Sequence, residues 1–175
     1  MPLLPIETER LLLRLPVADD AEPFLEIHQD PEVIARHHVT LTAPPGGIEV
    51  GARNVDRMLR HWDTLGYGQW AVVERATARV IGCVGFQHPE NADVELGWIV
   101  RRSRWGNGFA TEAARAAIDW AWRTGTLDHV ISLIGKDNPA SIRVATKIGQ
   151  RLEGEGICPS SGQNMLVYGI RKGGA

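Results

Sequence analysis

Two features of this 175-residue chain have residue types and spacing suited to chemistry. The stretch Val94–Glu112, VELGWIVRRSRWGNGFATE, runs from an apolar strand through Gly106 and Gly108 directly into a helix. Free backbone N–H groups at a helix N-terminus bind phosphate, with the helix dipole behind them. Glycine lets the backbone approach an anion with no Cβ in the way. Arg101, Arg102 and Arg104 add positive charge at the same end, so the expected structure is a pyrophosphate cradle. The second feature is Glu95, set in the same apolar strand on one face with Gly97 and Ile99. Lost solvation there lifts a glutamate from about 4.3 toward neutrality, which suits a general base. Each feature has a plainer alternative. The loop is then a glycine turn that only starts a helix, and Glu95 pairs with an arginine or faces solvent.

Other phosphate motifs fail. The segment holds no lysine, so it is not a GxxxxGK[ST] loop. Thr111 follows Gly106-Asn107-Gly108-Phe109-Ala110 where a dinucleotide fingerprint needs Gly or Ala, and the strand is about the fourth rather than the first. Six histidines form no HxxxH or HExxH pattern, and Cys83 and Cys158 alone make neither a zinc site nor a disulfide framework, so no metal is expected. Cys83, in VIGCVGF, reads as a buried small hydrophobe.

A net charge of −2 argues against nucleic acid as a partner. No apolar run approaches the roughly 18 residues of a membrane span. The opening MPLLPIETER lacks the basic start and apolar stretch of a secretion signal. With 43% hydrophobic and 23% charged residues, the expectation is one globular, cytoplasmic domain over residues 1–175.

The elements that must position these groups follow from periodicity. A strand is expected over Arg10–Leu15, then a helix from Asp19 that Asp30-Pro31 ends, because the residue before proline leaves the α region. TLTAPPGG forms a loop from Val39 to Gly47, and helical spacing of Val55, Met58, Leu59 and Trp62 predicts a helix from Ile48 to about Thr64. Strands follow over Gln69–Glu74, Val80–His88 and, after a PENAD turn, Val94–Val100. A helix over Ala110–Arg123 carries Arg115–Asp119 and Asp119–Arg123 pairs and stops at Gly125. A buried strand Val130–Ile134 precedes a helix from Pro139 to Ile148, between Asn138 as N-cap and Gly149. Leu152 and Asn164–Ile170 form a last hairpin. Strands that cluster before late-alternating helices indicate a mixed α/β sheet.

Trp105-Gly106-Asn107-Gly108-Phe109-Ala110 resembles the acetyl-CoA pyrophosphate loop of GNAT N-acetyltransferases, Q/R-x-x-G-x-G/A. Gly108 and Ala110 fill its small positions, and Trp105 replaces the usual Gln or Arg. The phrase ELGW…RWGNGFATEA is similar to the ribosomal-protein alanine N-acetyltransferase branch. So are Glu7–Arg14, as its first strand, and Asp137-Asn138-Pro139-Ala140-Ser141, leading to Lys147-Ile148-Gly149. The resemblance implies the GNAT fold: a mixed, mostly antiparallel sheet whose fourth and fifth strands splay, with flanking helices.

It also implies acetyl-CoA as cosubstrate. The pantetheine arm would lie along Trp98, Ile99 and Val100 as an added strand. The pyrophosphate would rest on N–H groups from Trp105 through Ala110, with Thr111 close by, and Asn138 would contact the arm while capping its helix. The expected reaction is direct acetyl transfer to a primary amine, a protein N-terminus or a small molecule, with Glu95 as base. The tyrosine acid of many relatives is replaced by Ala145, which leaves Ser141 as hydrogen-bond partner or acid for the thiolate. His37 (beside His38) and Trp70 are expected on the acceptor side, with the other tryptophans in the core. The alternative is a non-catalytic acyl-CoA-binding regulator. Dimers are common in the family, so a homodimer is among the expected assemblies.

Overall fold

The computed structural model describes residues 5–37, 47–88, 93–159 and 161–174. Within these residues eight strands form one sheet: β1 (Ile6–Glu7), β2 (Leu11–Arg14), β3 (Gln69–Glu74), β4 (Arg79–Gln87), β5 (Glu95–Val100), β6 (His129–Ile134), β7 (Arg151–Ile157) and β8 (Asn164–Arg171). Among the described residues five α-helices accompany it: α1 (Ala21–Gln29), α2 (Pro31–His37), α3 (Ile48–Leu65), α4 (Phe109–Thr124) and α5 (Pro139–Lys147). The sheet order is β1-β2-β3-β4-β5-β6-β8-β7. Every pairing is antiparallel except β5 with β6.

That parallel pair joins at one register position, Glu95 with Ile131. The Ile131 N–H donates to the Val94 carbonyl at 2.9 Å, and the Ser132 hydroxyl donates to the Leu96 carbonyl at 2.7 Å. Beyond Leu96 the strands share no register pair, and a gap opens between them. This is the splay expected of the two strands, which are β5 and β6 once the two-residue β1 is counted.

Helices cover both faces, so β3 and β4 are buried on both sides rather than alternating. On one face Trp70, Val72, Phe86, Leu96 and Trp98 pack against Ala113, Ala114, Ala117, Trp120 and Ala121 of α4. Alanines on that helix face let α4 sit close to the sheet. On the other face Ala71, Val73, Val80 and Cys83 pack against Phe24 of α1 and Val55 and Met58 of α3. Burial pushes the Cys83 thiol up to about 12, in keeping with a small hydrophobe.

Several expected elements take a different form. Asp30-Pro31 ends α1 as expected, with Asp30 extended, but it is also a junction: α2 begins there with Pro31 as its first residue, where the missing N–H costs no hydrogen bond. Arg115 does not bridge to Asp119 but donates to the Lys147 carbonyl on α5 at 2.8 Å, and Arg123 reaches the Asp119 backbone carbonyl. The expected loop over 39–46 and the turn over 89–92 lie outside the described residues, as does the His37 side chain. No helix among the described residues is long and apolar enough to cross a membrane.

Candidate active site

The end of β5 sets the site. Leu96 and Trp98 point into the core beneath α4, which leaves Glu95, Gly97 and Ile99 on the opposite face. After Val100 the chain makes a short turn over Arg102–Arg104 and enters the glycine loop. Gly106 and Gly108 have φ of 79° and 81°, left-handed values that favour glycine, and Gly108 is the residue before the first turn of α4. Trp105 ties the loop to the strand, its indole N–H donating to the Val100 carbonyl at 2.6 Å. The Arg36 guanidinium lies 4.1 Å from the centre of a Trp105 ring, so α2 covers the same point.

Two adjoining cavities open from this corner. The larger, of about 300 Å³, lies between the glycine loop and α5. It is lined by Trp98 and Val100, by Trp105, Gly106, Gly108, Phe109, Ala110 and Thr111, and by Asn138 and Ser141. The smaller, of about 120 Å³, fills the gap between β5 and β6 and is lined by Glu95, Gly97, Ile99, Ser132 and Leu133, with Gln69 and Gln87 beside them. Arg36, Trp98, Asn138 and Ser141 line both. Asn107 lines neither: its carbonyl accepts from Arg10, and its side-chain amide donates to the Arg104 and Trp105 carbonyls.

The charge around the cradle departs from expectation. Arg101 pairs with Glu26 at 2.8 Å, Arg102 with Asp30 at 3.5 Å and Arg104 with Glu74 at 3.0 Å. The three arginines are therefore largely neutralised. The cations that join Arg104 at the larger cavity come from elsewhere: Arg36 on α2, and Arg143 and Lys147 on α5. They escaped the sequence analysis because they are scattered along the chain and meet only in the fold.

Glu95 is half-buried between the splayed strands. Burial pushes its carboxyl above the usual carboxylate range, against the pull of the Leu133 backbone N–H that donates to it. Asn138 uses both ends of its amide. Its oxygen accepts from the Ser141 backbone N–H at 3.1 Å, the capping bond, and its nitrogen donates to the Arg36 carbonyl at 2.8 Å. Ser141 is thereby held at the mouth of both cavities, while Ala145 is sealed in the core.

One expectation fails outright. Trp70 has no exposed surface and cannot touch an acceptor in this structure, because it lies in the core with its ring centre 4.9 Å from that of Trp62 and 5.1 Å from that of Trp120. Its neighbour Gln69 lines the smaller cavity instead, an assignment that the alternation of side chains along β3 makes legible in hindsight. Among the described residues, no group of three His, Cys, Asp or Glu side chains is placed to hold a metal ion.

The fold and the site together define a class: an acyltransferase with a splayed strand pair beside a glycine cradle at a helix N-terminus. The model of the acetyltransferase (GNAT) domain matches residues 10–151, and the chain belongs to this family. It is 33% identical to the uncharacterized protein YkkB of Bacillus subtilis, over 81% of this chain and 82% of that one. It is 29% identical to the uncharacterized N-acetyltransferase p20 of Bacillus licheniformis, over 84% and 82% of the two chains. The crystal structure of an acetyltransferase from Agrobacterium tumefaciens superposes with a TM-score of 0.80 at 26% identity, covering 98% and 96%.

The chain is thus an acetyl-CoA-dependent acetyltransferase. The residues present fit that cosubstrate. The larger cavity is within the range of ligand sites, and it combines a glycine loop, a helix N-terminus and the cations Arg36, Arg143 and Lys147 beside an unpaired strand edge.

Proposed function

We propose that the enzyme moves the acetyl group directly from acetyl-CoA to a primary amine in a ternary complex, with Glu95 as general base and Ser141 at the thioester sulfur. One observation carries this reading: Glu95 and Ser141 line the same small cavity between the splayed strands, next to the phosphate cradle. The larger cavity receives the pyrophosphate, and the arm extends along Trp98 and Ile99 toward the gap.

A carboxylate held above its usual range accepts a proton from an ammonium group near neutral pH, directly or through one water. The freed amine nitrogen attacks the acetyl carbon, the C–S bond breaks, and the coenzyme leaves as a thiolate that takes up the second proton, which the nitrogen sheds as it becomes an amide. The Ser141 hydroxyl donates a hydrogen bond to that sulfur. Holding both reactants in line supplies most of the acceleration. The acceptor is an amine with polar surroundings, since Gln69 and Gln87 stand beside Glu95. A protein N-terminus or a small amino compound meets that description.

The test is thiol release from acetyl-CoA over a panel of N-terminal peptides, amino acids, polyamines and aminoglycosides, with acetyl-CoA binding measured separately. Turnover with one amine class, lost in Glu95→Gln while binding persists, is the expected result. Tight binding with no turnover on any amine would overturn the transfer reading. Glu95→Gln turning over like the wild type would overturn the assignment of the base.

A further inference from the structure

Glu112 stands in the first turn of α4, where a bare carboxylate repels the anion that the cradle is built to hold. The turn between β1 and β2 removes that conflict. The Thr8 hydroxyl donates to one Glu112 oxygen at 2.6 Å, and the Arg10 backbone N–H donates to the same atom at 3.0 Å. The other oxygen accepts the Arg10 Nε–H at 2.7 Å and lies 2.6 Å from Arg10 Nη2. Thr8 is itself fixed, its hydroxyl oxygen accepting the Leu11 N–H at 2.9 Å. These bonds outweigh partial burial and hold the Glu112 carboxyl below the usual range, so it stays charged and paired.

Arg10 also reaches the loop. Its Nη1 donates to the Asn107 carbonyl at 2.9 Å, and its guanidinium lies 4.6 Å from the centre of the Phe109 ring. The carbonyl of Asn107 and the N–H of Gly108 belong to one planar trans peptide and point in opposite directions. Anchoring the carbonyl on Arg10 therefore turns the Gly108 N–H away from Arg10. Gly108 lines the larger cavity, whereas Arg10 does not.

We propose that Arg10 is a positioning residue for the cosubstrate: with Thr8 it neutralises Glu112, and through Asn107 it orients the loop peptides so that their N–H groups meet the pyrophosphate. This rests on the reading of the loop as the pyrophosphate site. Arg10 acts through the loop and touches no ligand.

Acetyl-CoA and S-acetylpantetheine carry the same thioester and arm, but only the first has the phosphates. Both are titrated into wild type, Arg10→Met, Arg10→Lys and the double variant Arg10→Met/Glu112→Gln, with the fold checked by circular dichroism. Losing charge-assisted bonds of this kind weakens acetyl-CoA by about ten-fold or more in Arg10→Met. S-acetylpantetheine binding stays within about two-fold, because it never reaches the loop. The double variant recovers part of the loss, since the unshielded carboxylate is gone. Arg10→Lys keeps the charge without the planar fork and falls between, which carries the same comparison should Arg10→Met fail to fold.

Equal weakening of both ligands, or unchanged acetyl-CoA binding, would overturn the positioning role. A double variant no better than Arg10→Met would remove its electrostatic half. Wild type binding both ligands equally well would overturn the pyrophosphate reading, and the positioning role with it.

Discussion

Glu95 sits half-buried in a gap between strands, and its chemistry follows from that partial loss of solvation. Its carboxyl titrates above the ordinary range, so kcat/KM should rise with pH through an inflection displaced upward from that of an exposed glutamate. Glu95→Gln should abolish that inflection together with most of the activity, as measured by thiol release across pH. The same shift has a stability consequence. A carboxyl with a raised folded-state pKa favours the fold at low pH, and that contribution is lost as pH rises through the raised value. Glu95→Gln should therefore melt higher than wild type at pH 8, with the gap closing as both carboxyl forms become neutral below about pH 4. Ser141→Ala should lower kcat by about five- to ten-fold, the worth of one hydrogen bond, and leave acetyl-CoA affinity nearly unchanged. Glu95 was legible as a lone charge in an apolar run. The pairing of Arg101, Arg102 and Arg104 was not, because Glu26, Asp30 and Glu74 come from other elements.

At the scale of elements, α2 is the part that sequence periodicity missed. Its seven residues are too short to show a helical repeat, and Pro31, which ends α1 as expected, is also the first residue of the next helix. Yet α2 carries Arg36 to Trp105 and is tied to the start of α5 by the Asn138 side chain. Two variants at Asn138 separate its roles. Asn138→Ala loses the cap, worth about 1 kcal/mol, and releases α2. Asn138→Asp keeps an oxygen to accept from Ser141 but cannot donate to the Arg36 carbonyl. The expected outcome is a lowered melting temperature for the first, and for the second weaker acetyl-CoA binding with the α5 cap retained. The glycine loop makes its own prediction: Gly108→Ala forces φ of 81° on a residue with a Cβ, at a cost of about 1–2 kcal/mol. It should raise the KM for acetyl-CoA while leaving kcat at saturation close to wild type.

The whole molecule is two cores on one sheet, and the aromatic one is the keystone of the α4 face. Trp62, Trp70, Phe86 and Trp120 meet edge to face or stacked, joining α3, β3, β4 and α4. Trp70→Ala should cost about 3–5 kcal/mol by denaturant unfolding. In the fraction that remains folded, the KM for the amine should not change, which distinguishes a core tryptophan from a substrate platform.

The strand and helix periods outside α2, the caps at Asn138 and Gly125, the glycine loop and the half-buried glutamate were all determined by the sequence itself. Each is a local property, set by a backbone preference or by one side chain in the wrong solvent. What only the tertiary structure decided is non-local. It set which carboxylates silence which arginines, which cations from α2 and α5 face the phosphate cradle, and that Arg10 reaches Glu112 across 102 positions of sequence. It also decided that the parallel pair β5–β6 separates after one register position. Spacing along a chain carries no record of such meetings, because they are made by packing two core faces against one sheet.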